Sequence, residues 1–179
     1  MKLLLPKQVY NRITDIDLDQ LRKRGISGLL LDLDNTLVRY DSEELDQEFK
    51  AWIIKAKSEG FRICLVSNGR PKRVIHFAKM MDIPAVISAY KPTRSPFLRA
   101  LELLDKEAAE VAMIGDQLFT DVLGANRLDI HTILITPLGK NEFSTTRLVR
   151  RLERRMLNRF VKKGLLAAEI INRRNEGEL

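Results

Sequence analysis

Gly28-Leu29-Leu30-Leu31-Asp32-Leu33-Asp34-Asn35-Thr36 is the stretch that decides how this chain folds. A glycine, an unbroken apolar run and then a polar loop is the pattern of a strand buried on both faces, as in a parallel sheet. The sequence downstream keeps alternating. Residues 43–59 carry Leu45, Phe49, Trp52, Ile53 and Ala56 at helical spacing, with Gly60 as the stop. Phe61 to Val66 reads as a strand, Pro71 to Met81 as a helix with proline in its first turn, Ala85 to Ser88 as a short strand and Pro96 to Leu104 as a helix. Val111 to Ile114, Thr120 to Leu128 and Thr132 to Ile135 read as strand, helix and strand. Such alternation predicts βαβ units with right-handed crossovers, hence an α/β fold: a three-layer α/β/α, Rossmann-like sandwich with about five parallel strands.

Upstream, residues 17–24 predict a short helix opened by Asp17 or Asp19 and stopped by Gly25. The expected organisation is a helical segment over 1–26 packed on the core, the core over 27–140, and a basic amphipathic helical tail over 141–179. The 179 residues contain 31 Lys+Arg and 24 Asp+Glu, a formal charge of +7, with 45% hydrophobic and 31% charged residues. That composition excludes a mostly disordered chain, and the length suffices to bury roughly 70% of the unfolded surface without disulfides or metal staples. One cysteine, Cys64, excludes an intrachain disulfide framework and fits a reducing compartment. The apolar runs are far shorter than the roughly 18 residues of a membrane span, and Leu3-Leu4-Leu5 is too short for a signal peptide. A cytoplasmic location is therefore expected.

Ligands of open α/β sheets bind beyond the carboxyl ends of the strands. There the sequence places Asp32 and Asp34, then Ser67, then Lys91, then Asp116, with Asp121 five residues further on. Clustered carboxylates repel unless a cation neutralises them, and hard oxygen ligands suit Mg²⁺. One such Asp would only cap the next helix. Several, joined by a Ser and a Lys at separate strand ends, point to phosphate chemistry. Cys64 and Trp52 read as core residues, and His76 and His131 lie away from these positions.

The ordered set DLDNT (32–36), Ser67, Lys91 and GDQLFTD (115–121) resembles the haloacid dehalogenase-like (HAD) superfamily of phosphotransferases. More narrowly, GDQLFTDVLGANR with SNGR and YKP resembles the YqeG-type, subclass IIIA HAD phosphatases, a group related to the phosphatidylglycerophosphate phosphatases of mitochondria. The resemblance implies Mg²⁺-dependent hydrolysis of a phosphomonoester through an aspartyl-phosphate on Asp32. It implies Asp34 as the acid and base, since HAD phosphatases carry Asp there and transport ATPases carry Thr. Ser67 and Lys91 would neutralise the phosphoryl charge. The metal ligands would be Asp32, the main-chain carbonyl of Asp34, and Asp116, with Asp121 orienting the metal waters or Lys91. Asn68, Arg70, Arg94, Asn126 and Arg127 flank the motifs as possible contacts to the rest of the substrate.

HAD enzymes usually carry cap domains after the first or second motif. Here 32 residues separate Asp34 from Ser67 and 23 separate Ser67 from Lys91, too few for a folded cap. An open site suits a large substrate, and a phospholipid headgroup is the leading expectation. Soluble phosphate esters or nucleic-acid ends are the alternative within enzymes. A vestigial site on an RNA- or ribonucleoprotein-binding module is the alternative from another class. Residues 147–163 place Leu148, Leu152, Met156 and Phe160 four apart beside Val149, Leu157 and Val161, amid eight Arg and Lys. Such a helix can dock on its own domain with its charges solvated, lie peripherally on the anionic inner membrane surface, or, less favourably, meet nucleic acid.

Overall fold

The computed structural model describes residues 2–139 and 144–167, with 144–148 described only as helix. Six strands form one parallel sheet: β1 (Gln8–Tyr10), β2 (Gly28–Leu31), β3 (Arg62–Val66), β4 (Ala85–Val86), β5 (Val111–Gly115) and β6 (His131–Ile135). Their order is β1-β6-β5-β2-β3-β4. The helices between them are α1 (Leu18–Lys23), α2 (Gln47–Ser58), α3 (Pro71–Met81), α4 (Ser95–Leu104) and α5 (Leu123–Asn126), with α6 (Ser144–Lys162) closing the described chain.

All four residues of β2 are buried, as a central strand covered on both faces requires. Successive side chains point to opposite faces, and the core divides accordingly. Leu29 and Leu31 pack with Ile63, Leu65 and Ile114 under Trp52, Ile53, Val74 and Phe77 of α2 and α3. Leu30 packs with Cys64, Val66 and Met113 under Phe97, Ala100 and Leu104 of α4. Burial pushes the Cys64 thiol up to about 12, which leaves it an inert core residue.

Three features depart from the expected elements. Residues 2–26 do not simply lay helix on the core: β1 pairs Gln8, Val9 and Tyr10 with Ile133, Leu134 and Ile135, adding a sixth strand at the sheet edge. The helix expected from Thr120 starts as a π-helical turn over Leu118–Val122 and continues as the short α5. Asn126, expected beside the substrate, is engaged with the amino-terminal segment. Its amide donates to the carbonyls of Leu3 (2.8 Å) and Leu5 (3.1 Å) and accepts from Thr132 Oγ1 (3.1 Å), strapping the amino-terminal segment to the sheet.

The basic helix α6 docks on its own domain. Leu157 and Phe160 are buried with Leu118, Val122 and Leu134, while Leu4, Leu5, Val9 and Met156 pack around them. Leu152 of the expected stripe is exposed, and the Leu148 side chain and residues 168–179 lie outside the described residues. Across the sheet from α3, Gly124 lets α5 approach α4 so closely that a Cβ there would strike the Phe97 ring. Phe97→Ala is therefore expected to lower stability by about 3–5 kcal/mol, read from urea unfolding.

Candidate active site

β2 lies between β3 and β5, where the order of strands reverses, so the crevice opens at the carboxyl ends of these three strands. Asp32 is the first residue past β2, and its N–H still donates to the Ile114 carbonyl at 3.0 Å. The chain then turns sharply. Asn35 takes the left-handed conformation (φ 61°), which Asn tolerates better than most residues. Its carboxamide accepts from Tyr40 N and its carbonyl from Leu138 N, fixing the loop that presents Asp34.

Lys91, between β4 and α4, places its ammonium 2.6 Å from Asp32 Oδ1 and 2.7 Å from Asp121 Oδ1. The π turn and Gly115 make that possible, because a Cβ at 115 would collide with the Asp121 carboxylate. Gln117 N donates to Asp121 Oδ2 at 3.1 Å, so both Asp121 oxygens are engaged. The Thr36 hydroxyl lies 3.4 Å from both Asp32 Oδ2 and Asp116 Oδ1. Burial raises the Asp32 carboxyl to about 8, with Asp121 and Asp116 adding to the rise and Lys91 opposing it. Burial also raises Asp121, again against Lys91. Burial alone would pull the Lys91 ammonium down, but Asp121 and Asp32 together hold it above its usual value.

Carboxylate oxygens of Asp32, Asp116 and Asp121 lie within 4.8 Å of one another. Three buried carboxylates this close, when all are ionised, carry more negative charge than Lys91 offsets. The donor set is therefore fitted to a hard divalent cation.

Asp34 lies outside this cluster. Arg73 Nε donates to Asp34 Oδ1 at 2.8 Å and is itself anchored on the carbonyls of Ser42 and Arg39. Ser67 is buried, its Oγ accepting from Gly69 N at 3.0 Å. The Asn68 carboxamide pairs with the main chain of Lys91, donating at 3.2 Å and accepting at 2.9 Å, so that side chain holds the lysine loop. Around these groups lies a hollow of about 230 Å³ lined by Asp32, Asp34, Ser67, Lys91, Gln117 and Thr120 among others. Asp34 and Tyr40 also line a second hollow of about 440 Å³, on whose wall Arg70 stands. Arg94 is exposed and lines neither hollow, and Arg127 donates to the Pro92 carbonyl at 2.9 Å behind the lysine loop.

Sequence reasoning missed Arg73 and a second arginine, Arg150 of α6, which pairs with Asp116 Oδ2 and donates to the Asp116 carbonyl at 2.7 Å. Arg150 also bonds Glu153 Oε2 at 3.1 Å. The one signal was Glu153 itself, the sole acidic residue between 144 and 168, three positions after Arg150.

The family model of haloacid dehalogenase-like hydrolases matches residues 5–129. The chain belongs to that family. It is 36% identical over 163 residues, 91% of this chain and 95% of the other, to the Bacillus subtilis (strain 168) protein named "Probable phosphatase YqeG". It is 28% identical over 174 residues to the Arabidopsis thaliana phosphatidylglycerophosphate phosphatase 1, chloroplastic/mitochondrial, covering 92% of this chain and 50% of that protein. The fold matches the cobalt-bound deoxy-D-mannose-octulosonate 8-phosphate phosphatase of Haemophilus influenzae, with TM-score 0.52 and 13% identity, over 63% of this chain and 69% of that one. The chain is a HAD-type phosphatase, a phosphoric monoester hydrolase.

The raised Asp32 carboxyl has a consequence for stability. Without a cation, the folded chain binds this proton more tightly than the unfolded chain, whose value is near 3.8. The stability gained below that value is lost as pH rises through about 8. A divalent cation bound by Asp32 would take the place of that proton. The thermal midpoint gained on adding MgCl₂ is therefore expected to be larger at about pH 8.5 than at about pH 5.5. A gain independent of pH would contradict this charge balance.

Proposed function

We propose that the chain hydrolyses a phosphomonoester with Mg²⁺ bound, through an aspartyl-phosphate on Asp32. The observation that carries this reading is Asp32 itself: its Oδ1 is held by Lys91, its Oδ2 lies against Thr36 beside Asp116, and it lines a small polar hollow together with Asp34. Asp32, the Asp34 carbonyl and Asp116 would hold Mg²⁺, which supplies neutralising charge for the phosphoryl group when bound. An Asp32 oxygen attacks phosphorus while the bond to the leaving alkoxide breaks. Asp34, oriented by Arg73, gives its proton to that alkoxide. It then takes a proton from the water that attacks the phosphoenzyme, releasing inorganic phosphate and restoring Asp32. The Lys91 ammonium and Ser67 hydroxyl offset charge on the phosphoryl oxygens, and Asp121 keeps Lys91 in place.

The leaving group must lie on the Asp34 side, which is where the 440 Å³ hollow begins. That hollow is roomy enough for a glycerol-sized headgroup beside Arg70, and 28% identity to a phosphatidylglycerophosphate phosphatase supports phosphatidylglycerophosphate as the substrate. The spans between the motifs form α2, α3 and β4, leaving no inserted cap among the described residues. No helix among them is long and apolar enough to cross a membrane. Contact with an anionic bilayer would instead be peripheral. Because Leu157 and Phe160 are engaged with the core, it would use the exposed Arg151, Arg154, Arg155, Arg159 and Lys162, each worth about 1 kcal/mol near such a surface.

Hydrolysis of an aryl phosphate is expected to require Mg²⁺ and to fall at least about 10³-fold in Asp32→Asn, and about 10²- to 10⁴-fold in Asp34→Asn. Equal rates for wild type and Asp32→Asn would overturn the mechanism. Phosphate release from phosphatidylglycerophosphate in mixed vesicles is expected to exceed release from glycerol 3-phosphate and nucleotide monophosphates; the reverse order would assign the site to soluble esters. Flotation with anionic vesicles is expected to weaken as salt rises, and no association at low salt would remove the membrane reading.

A further inference from the structure

Arg150 and Glu153 are buried on the inner face of α6, three residues apart, although the rest of its described charges are exposed. Arg150 Nη1 donates to the main-chain carbonyl of Asp116, and Nη2 pairs with Asp116 Oδ2. Glu153 balances the guanidinium through Oε2 and accepts from Phe119 N at 3.1 Å through Oε1. The pair thus grips both ends of the segment 116–119, which carries one site carboxylate and leads directly into the turn that carries another.

We propose that Arg150 is a positioning residue of the metal site, and that α6 is thereby part of the catalytic unit. The inference rests on the reading that Asp32 and Asp116 hold a divalent cation. A carboxylate rotates readily about its last side-chain bond, so a ligand that must face one point in space needs its other oxygen held. Arg150 engages Oδ2 and the carbonyl of the same residue with one rigid fork. Oδ1 lies toward Asp32, with the Thr36 hydroxyl 3.4 Å from Asp116 Oδ1 and from Asp32 Oδ2. The opposite role, a guanidinium standing in for the metal, would have Arg150 bridge the two carboxylates. Arg150 instead meets Asp116 at Oδ2 and Glu153 at Oε2, while Asp116 Oδ1 lies by the Thr36 hydroxyl on the Asp32 side.

The test is calorimetric titration of the full chain with Mn²⁺, alongside thermal melts that establish how much of each variant is folded. Arg150→Met is expected to weaken Mn²⁺ binding about 10- to 100-fold. Arg150→Lys, whose ammonium lacks the planar fork, recovers part of that loss. Arg150→Met combined with Glu153→Gln, which avoids a lone buried carboxylate, shows the same weakening if Arg150→Met alone folds poorly. In aryl phosphate hydrolysis the Mn²⁺ concentration for half-maximal rate rises in the same order, while the rate at saturating Mn²⁺ approaches wild type. A merely structural arginine would lower the melting temperature and leave Mn²⁺ affinity of the folded protein unchanged, which overturns the proposal. Tighter Mn²⁺ binding in Arg150→Met also overturns it, and makes Arg150 a competitor of the ion. If wild type binds no Mn²⁺, the metal reading falls and takes this inference with it.

Discussion

The Lys91 ammonium, lodged between Asp32 and Asp121 where little water reaches, is the contact around which this end of the sheet is arranged. Two carboxylates cannot share such a place without a cation. The lysine must therefore arrive from a loop that stays put. Asn68 secures its main chain, Arg127 secures the next carbonyl, and the approach of Gly124 to Phe97 seats α4 against α5 behind it. Gly115 and the widened turn at Leu118–Val122 answer the same need from the other side, by letting Asp121 fold back over the strand end.

Lys91 does not complete the neutralisation. The buried charged side chains among the described residues are Asp32, Asp116, Asp121 and Glu153 against Lys91 and Arg150. Arg150 is shared between Asp116 and Glu153, and at Asp32 it is burial first, with Asp121 and Asp116 adding to it against Lys91, that raises the carboxyl. A site in this condition is prepared for a divalent cation and a phosphate ester together, since each offsets what the other introduces. Asp34 stands outside the cluster and answers to Arg73 instead, so the group proposed to exchange protons is separated from the groups that hold charge.

Much of this was legible before any coordinates. Asp32, Ser67, Lys91 and Asp116 each follow a predicted strand, and a parallel sheet brings all such positions to one edge. What stayed illegible depended on single long-range contacts. Gln8-Val9-Tyr10 is too short and too mixed in polarity to announce a strand, and only its pairing with β6 makes it one. Asn126 sits beside a motif yet turns toward the amino terminus. Arg73 and Arg150 resemble their solvated neighbours in sequence, and only the folded chain brings them to Asp34 and Asp116, 39 and 34 positions away. The +7 charge is concentrated in the carboxyl-terminal segment, which suggested a helix remote from the chemistry. That helix sends one arginine inward and keeps the others outside.

The proposed chemistry needs a divalent cation seated between Asp32 and Asp116. Anomalous diffraction from crystals grown with Mn²⁺ tests this most directly. The expected map has one strong peak at this end of the sheet, within coordination distance of an Asp32 oxygen and Asp116 Oδ1, with Arg150 still on Asp116 Oδ2. A map with no peak there, or with the ion held by other residues, would contradict it.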